Sequence, residues 1–228
     1  MGKFSSLKRQ LFEVSLHLHR FIADRWGYDL PLVKRNCYKL DTTETRQAVL
    51  ELCAQEAYRN DVQGSVAELG VFRGDFARWI NHYFPDRPFY LFDTFEGFDE
   101  RDASVELDRG FSTGKQGHDF SKTSEALVLD KMEYRKNCIV KKGYFPDTAT
   151  DVSDTFCFVS IDADLYQPIL AGLNFFYPKL VGGGYIMVHD FNNDVYKGSR
   201  QAVLEFCKKH NVGYVPISDS FGSVVITK

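Results

Sequence analysis

The chain has 228 residues, enough for one domain of ordinary size with a sizeable core, and its 28 Lys+Arg against 31 Asp+Glu leave a net charge of -3. No long basic run supplies the electrostatic footprint of a nucleic-acid binder, and no segment reaches the roughly 18 consecutive apolar residues of a membrane span. Cys37, Cys53, Cys138, Cys157 and Cys207 are odd in number and scattered, unlike a zinc site or a disulfide scaffold; with no signal-peptide core at the start, a soluble protein of the reducing cytoplasm is expected.

In chain order, Met1 to Ser6 carries the short myristoylation pattern, which recurs by chance in sequences of every kind. Leu7, Leu11, Val14, Leu18, Phe21 and Ile22 then repeat at helical spacing, so an amphipathic helix is predicted that covers its own domain or joins a homo-oligomer partner. Asp41-Thr42-Thr43-Glu44 has capping-box spacing, and the helix after it runs to about Asn60, closing an N-terminal helical segment (1–60) ahead of one catalytic domain (61–228).

From there strands and helices alternate. Strands are predicted at Gly64–Gly70, Pro88–Asp93, Asn137–Lys141, Thr155–Asp162 and Gly184–His189, with helices from Gly74 and over Thr123–Arg135, Tyr166–Tyr177 and Gly198–His210. Asp99–Ser121 reads as one long polar loop, a mobile lid. Gly213–Ile217 and Ser223–Thr227 are strands joined by a tight turn, so the chain ends in an antiparallel hairpin. The fold class is α/β, a doubly wound, seven-stranded, mostly parallel sheet.

Two motifs sit at strand ends. Glu68-Leu69-Gly70-Val71-Phe72-Arg73-Gly74 is a strand end, a turn and a helix start; it lacks the Gly-x-Gly-x-x-Gly spacing that seats a pyrophosphate and puts a carboxylate at the turn, which favours a ligand with a cationic part. Asp93, followed by Thr94, comes 23 residues after Gly70, where nucleoside-binding sheets carry an acid for a ribose diol. The structural alternative makes the glycines mere turns and Glu68 and Asp93 caps.

Asp162 and Asp164 follow another apolar strand, and His189 and Asp190 end the next. If those strands are neighbours, three carboxylates and an imidazole meet outside the carboxyl ends of the sheet, where they repel unless a cation or substrate intervenes. Oxygen-rich ligation suits Mg²⁺, Ca²⁺ or Mn²⁺, and a histidine admits a softer ion; the alternative is that Asp162 and Asp190 are caps and His189 a satisfied, partly buried residue.

Five blocks in order, "AELGVFRGDFARWI", "YLFDTFEGF", "KKGYFPDT", "IDADLYQPILAGLNFFYPKLVGGG" and "VHDF", resemble the macrocin O-methyltransferases of the TylF type over about Val62 to Phe206. The resemblance implies a class I methyltransferase sheet and S-adenosylmethionine bound near Glu68, Gly70, Phe72, Gly74, Asp93 and Thr94. It also implies Mg²⁺-dependent methylation of a hydroxyl on a sugar or saccharide-containing small molecule. Asp162 takes the place of a metal ligand and Asp164 that of the general base, while Gly143 and Asp147 border the adenine and acceptor side. Where the family usually has two adjacent aspartates, this chain has His189-Asp190, so the expected metal set is Asp162, His189 and Asp190. A catechol-like diol is an alternative acceptor, with Phe95, Phe98, Phe111 and Phe120 available to line a pocket for either; a non-catalytic S-adenosylmethionine-binding relative and a nicotinamide-dependent oxidoreductase are the remaining rivals.

Overall fold

The computed structural model describes residues 42–112 and 119–228. Seven strands form one sheet: β1 (Ser65–Leu69), β2 (Phe89–Asp93), β3 (Cys138–Lys142), β4 (Phe156–Ile161), β5 (Leu180–Val188), β6 (Val215–Ile217) and β7 (Ser223–Thr227), in the order β3-β2-β1-β4-β5-β7-β6. β1 to β5 pair in parallel, and β7 pairs antiparallel with both β5 and β6. The helices are α1 (Thr42–Arg59), α2 (Ala77–Tyr83), α3 (Glu100–Asp108), α4 (Glu125–Leu129), α5 (Tyr166–Lys179) and α6 (Gly198–His210). The myristoylation pattern, the helix predicted over residues 7–22 with its role in a homo-oligomer, and the capping residue Asp41 lie outside the described residues, as do residues 113–118 of the predicted lid. Among the described residues no helix is long and apolar enough to cross a membrane.

Each central strand is buried on both faces, and its alternate residues feed two cores. Ala67, Tyr90, Phe92, Val159 and Ile161 pack with Leu173 and Phe176 of α5 and Phe206 of α6. Val66, Leu91 and Phe158 pack with Leu50 and Ala54 of α1 and Ile80 of α2. Fully burying one such side chain contributes about 1.5–3 kcal/mol. The same alternation fixes the site: on β1 and β4, Glu68 follows Val66, and Ser160 and Asp162 follow Phe158, toward α1. Strand order reverses between β1 and β4, the switch point where open α/β sheets hold ligands.

Three predicted elements differ in form. The long polar stretch contains α3, whose N-cap Asp99 accepts the Arg101 N–H and whose buried face is Asp102 and Glu106. Its inward acids are held by partners distant in sequence, so no apolar period marks the helix. The helix predicted over Thr123–Arg135 is shortened to α4, capped by Ser124, because the buried Asn81 side chain takes both the N–H and the C=O of Tyr134 that a longer helix would use itself. β5 starts at Leu180, ahead of its glycines: a Cβ at Gly184 would press on the Leu180 side chain and the Cys157 carbonyl, so glycine there permits close packing rather than ending a strand.

Candidate active site

A cavity of about 820 Å³ opens at the carboxyl ends of β1, β2, β4 and β5. Glu68, Gly70, Phe72, Asp93 and Thr94 border it, as do Asp162, Asp164, His189 and Asp190. Gly74 does not: it turns the chain at φ +74° and packs under Val128 of α4, where a Cβ would be tight. Of the four aromatic residues predicted to line a pocket, Phe98 and Phe120 do; Phe95 is buried in the core and Phe111 packs on Tyr166. Gly143 borders the cavity and Asp147 stands outside it.

The turn after β1 is held from β2. Asp93 Oδ2 accepts the Val71 and Phe72 N–H groups at 2.8 and 2.7 Å, and Oδ1 accepts Phe95 N–H at 2.7 Å. A carboxylate has about four acceptor sites, so Asp93 keeps one after clipping the turn. Gly70, at φ +85°, is required because a Cβ would overlap the Asp162 carbonyl where β1 and β4 close on each other. Phe72, Asp164, Asp190 and Phe221 also have positive φ and all border the cavity, a concentration of strained backbone that accompanies functional sites.

Glu68 is 1% exposed, and its Oε2 has no partner among the described residues. Burial pushes its carboxyl well above the ordinary range, against the pull of Arg46. Its Oε1 accepts the Ser160 hydroxyl at 3.3 Å, Ser160 being its register partner on β4. Arg46, reaching down from α1, donates to Ser160 Oγ at 3.0 Å and to Asp162 Oδ2 at 2.8 Å. Sequence reasoning missed both Arg46 and Ser160; a signal for the second was its place as a polar residue in an apolar strand, two before Asp162 and therefore on the same face.

Asp162, His189 and Asp190 each offer a ligand atom within 4.8 Å of the others. His189 Nδ1 lies 3.0 Å from Asp162 Oδ1 and 3.3 Å from Asp190 Oδ2, and Nε2 lies 2.9 Å from the Ser220 carbonyl. A carbonyl only accepts, so Nε2 carries a proton. Burial opposes a charge on the ring, but the Asp162 carboxylate outweighs it and raises His189 to about 10. For Asp162, burial is likewise outweighed, by Arg46 and His189, which hold its carboxyl well below the ordinary range. The donors fit a divalent cation: Nε2–H on a backbone carbonyl is the usual outer support of a metal-binding histidine, leaving Nδ1 and two carboxylates to converge on one point.

Asp164 stands beside this group. Burial, then the neighbouring Asp190 and Asp162 carboxylates, push it well above the ordinary range. Its carbonyl accepts the Ser199 hydroxyl, which ties it to the start of α6. Glu106 of α3 caps two helices at once, accepting Tyr166 N–H of α5 at 2.9 Å and Gly198 N–H of α6 at 3.1 Å. Asp102, one turn earlier, borders the cavity and accepts the Tyr144 hydroxyl at 3.1 Å; burial raises it to about 6.

This arrangement can hold a cationic ligand beside an acid-rich pocket, and comparison with known proteins decides its class. The sequence profile of the macrocin O-methyltransferase (TylF) family matches residues 23–220. The chain belongs to that family. It is an S-adenosylmethionine-dependent O-methyltransferase, with the seven-stranded class I sheet that the resemblance implied. Among relatives of this TylF-family chain, the mycinamicin III 3''-O-methyltransferase of Micromonospora griseorubida is 28% identical over 183 residues, 72% of this chain and 68% of that protein. The demethyldecarbamoylnovobiocin O-methyltransferase of Streptomyces niveus is 27% identical over 156 residues, 61% of this chain and 57% of that protein. The calicheamicin methyltransferase CalS11 superposes over 100% of this chain and 93% of its own with a TM-score of 0.65 at 18% identity, a likeness of fold.

Proposed function

We propose that this methyltransferase transfers the methyl group of S-adenosylmethionine to a hydroxyl of a sugar or saccharide-containing metabolite, with a divalent cation held by Asp162, His189 and Asp190. The observation that carries the reading is the convergence of those three side chains beside Asp164 in the cavity that Glu68 borders. The relatives' names support a glycosidic acceptor: one acts on mycinamicin III and another on a rhamnosyl group of a tetracenomycin derivative.

The unpartnered Oε2 of Glu68 receives the α-ammonium group of the donor, and the remaining acceptor site of Asp93 receives a ribose hydroxyl. A bound divalent ion supplies Lewis acidity and a template for two neighbouring oxygens. Asp164 takes the proton of the acceptor hydroxyl as its oxygen forms the new bond to carbon; the carbon–sulfur bond breaks, and S-adenosylhomocysteine leaves as a neutral thioether. A carboxylate whose hold on a proton is strengthened by burial and by neighbouring carboxylates is a stronger base than a solvated one, which suits this role. The test is calorimetric titration with S-adenosylhomocysteine, followed by mass-spectrometric assay of glycosides carrying vicinal hydroxyls beside simple catechols. Methylated glycosides are expected; turnover of catechols alone would replace the sugar reading with the diol alternative, and absence of cofactor binding would remove both.

A further inference from the structure

Arg46 stands where a structural arginine is least needed. It is 7% exposed, its guanidinium carbon lies 3.7 Å from the centre of the Phe76 ring, and its Nε is buried without a partner among the described residues. The rest of α1 is fixed by apolar packing through Leu50, Cys53, Ala54 and Ala57, so the ion pair is not what holds the helix on the sheet. Its two terminal nitrogens instead reach the site: Nη1 to Asp162 Oδ2 and Nη2 to Ser160, which in turn donates to Glu68.

We propose that Arg46 is a positioning residue that acts as an internal cation, competing with the divalent ion for Asp162 and setting how tightly that ion binds. This rests on the metal reading above. Nη1 already occupies an acceptor site on Oδ2, while Oδ1 is the oxygen that faces His189, so an incoming ion meets a carboxylate already paired with a cation. A fixed positive charge one carboxylate away from the metal point repels an incoming dication in a site largely shielded from water. Arg46, together with the His189 ring, also keeps the acids compatible when no ion is present, since it faces Asp162 and, through Ser160, Glu68.

The test is Mn²⁺ titration of the full-length, metal-stripped protein, read by electron paramagnetic resonance, for wild type, Arg46→Lys and Arg46→Gln. The neutral variant is expected to bind Mn²⁺ about tenfold or more tightly than wild type, and the lysine variant to stay within about threefold, because charge rather than shape governs the competition. Should Arg46→Gln not fold, Arg46→Met keeps an unbranched stem on Phe76 and tests the same loss of charge; S-adenosylhomocysteine binding reports that the fold is intact. Unchanged or weaker binding in a folded neutral variant overturns the proposal and leaves the metal reading standing. Binding in the neutral variant but not in wild type supports the proposal and removes the metal from the native reaction; binding in neither overturns both.

Discussion

His189 Nε2 lies 2.9 Å from the Ser220 carbonyl, and this one contact decides which ring nitrogen is left for a ligand. With Nε2 protonated, Nδ1 is the atom that meets Asp162 and Asp190, and the proposed metal set becomes two oxygens and, once Nδ1 gives up its proton, one imidazole nitrogen. Such a set favours Mn²⁺ or Co²⁺ over Mg²⁺. Competition calorimetry is expected to give at least about tenfold tighter binding of Co²⁺ than of Mg²⁺, and His189→Asp is expected to narrow that gap. Equal affinities in the wild type would mean that His189 does not ligate.

Asp164→Asn keeps the shape of the side chain and removes its ability to take a proton. Cofactor binding is expected to be retained and kcat to fall by about 10²–10⁴-fold, the range for a lost general base. Single-turnover methyl transfer measures it, and an undiminished rate excludes Asp164 from proton transfer.

Glu68→Gln removes the acid proposed to face the donor's ammonium group while preserving a polar side chain. Weakening of S-adenosylhomocysteine by about 1.5–3 kcal/mol is expected, the scale of a hydrogen bond to a charged group. Calorimetry checks it; unchanged affinity would return Glu68 to a purely structural role.

The strands were legible because a parallel sheet buried on both faces is written as short apolar runs between turns. Both acidic strand ends were legible for the same reason, since Asp162 and Asp190 interrupt such runs. Arg46 was not, because its polar partners Ser160 and Asp162 lie 114 and 116 residues away and α1 carries no local sign of them. Motif spacing alone does not tell a glycine under a ligand from one under a helix, and Gly74 packs against Val128 of α4. The acids of α3 fall in the stretch that reads as a polar loop, although Glu106 is 2% exposed and satisfied by two amides.

Asp102 gives a pH prediction of definite sign. Its ordinary value of 3.8 is raised by burial to about 6 in the fold, so the folded state holds the proton more tightly and gains stability as pH falls from about 7 toward 4. Above that window the buried charge is a penalty. Asp102→Asn is therefore expected to melt higher than wild type at pH 8, with the difference shrinking toward pH 4.5; thermal unfolding across that range checks it, and a constant difference would show that the side chain acts through something other than its charge.

Glu106→Ala leaves two buried helix-end amides without acceptors. A loss of about 1–4 kcal/mol is expected from urea unfolding, the sum of two lost caps at about 0.5–2 kcal/mol each. Retention of full stability would mean that water replaces the carboxylate at both ends.

The double cap has a mechanical meaning. One carboxylate on α3 grips the first turns of α5, two residues beyond Asp164, and of α6, whose Ser199 holds the Asp164 carbonyl. Glu100, Ser104 and Leu107 lie on the exposed side of α3, so substitutions there leave that grip undisturbed. The fold thus lets the outer face of α3 vary over evolutionary time while the segment that carries Asp164 stays in register with both helices.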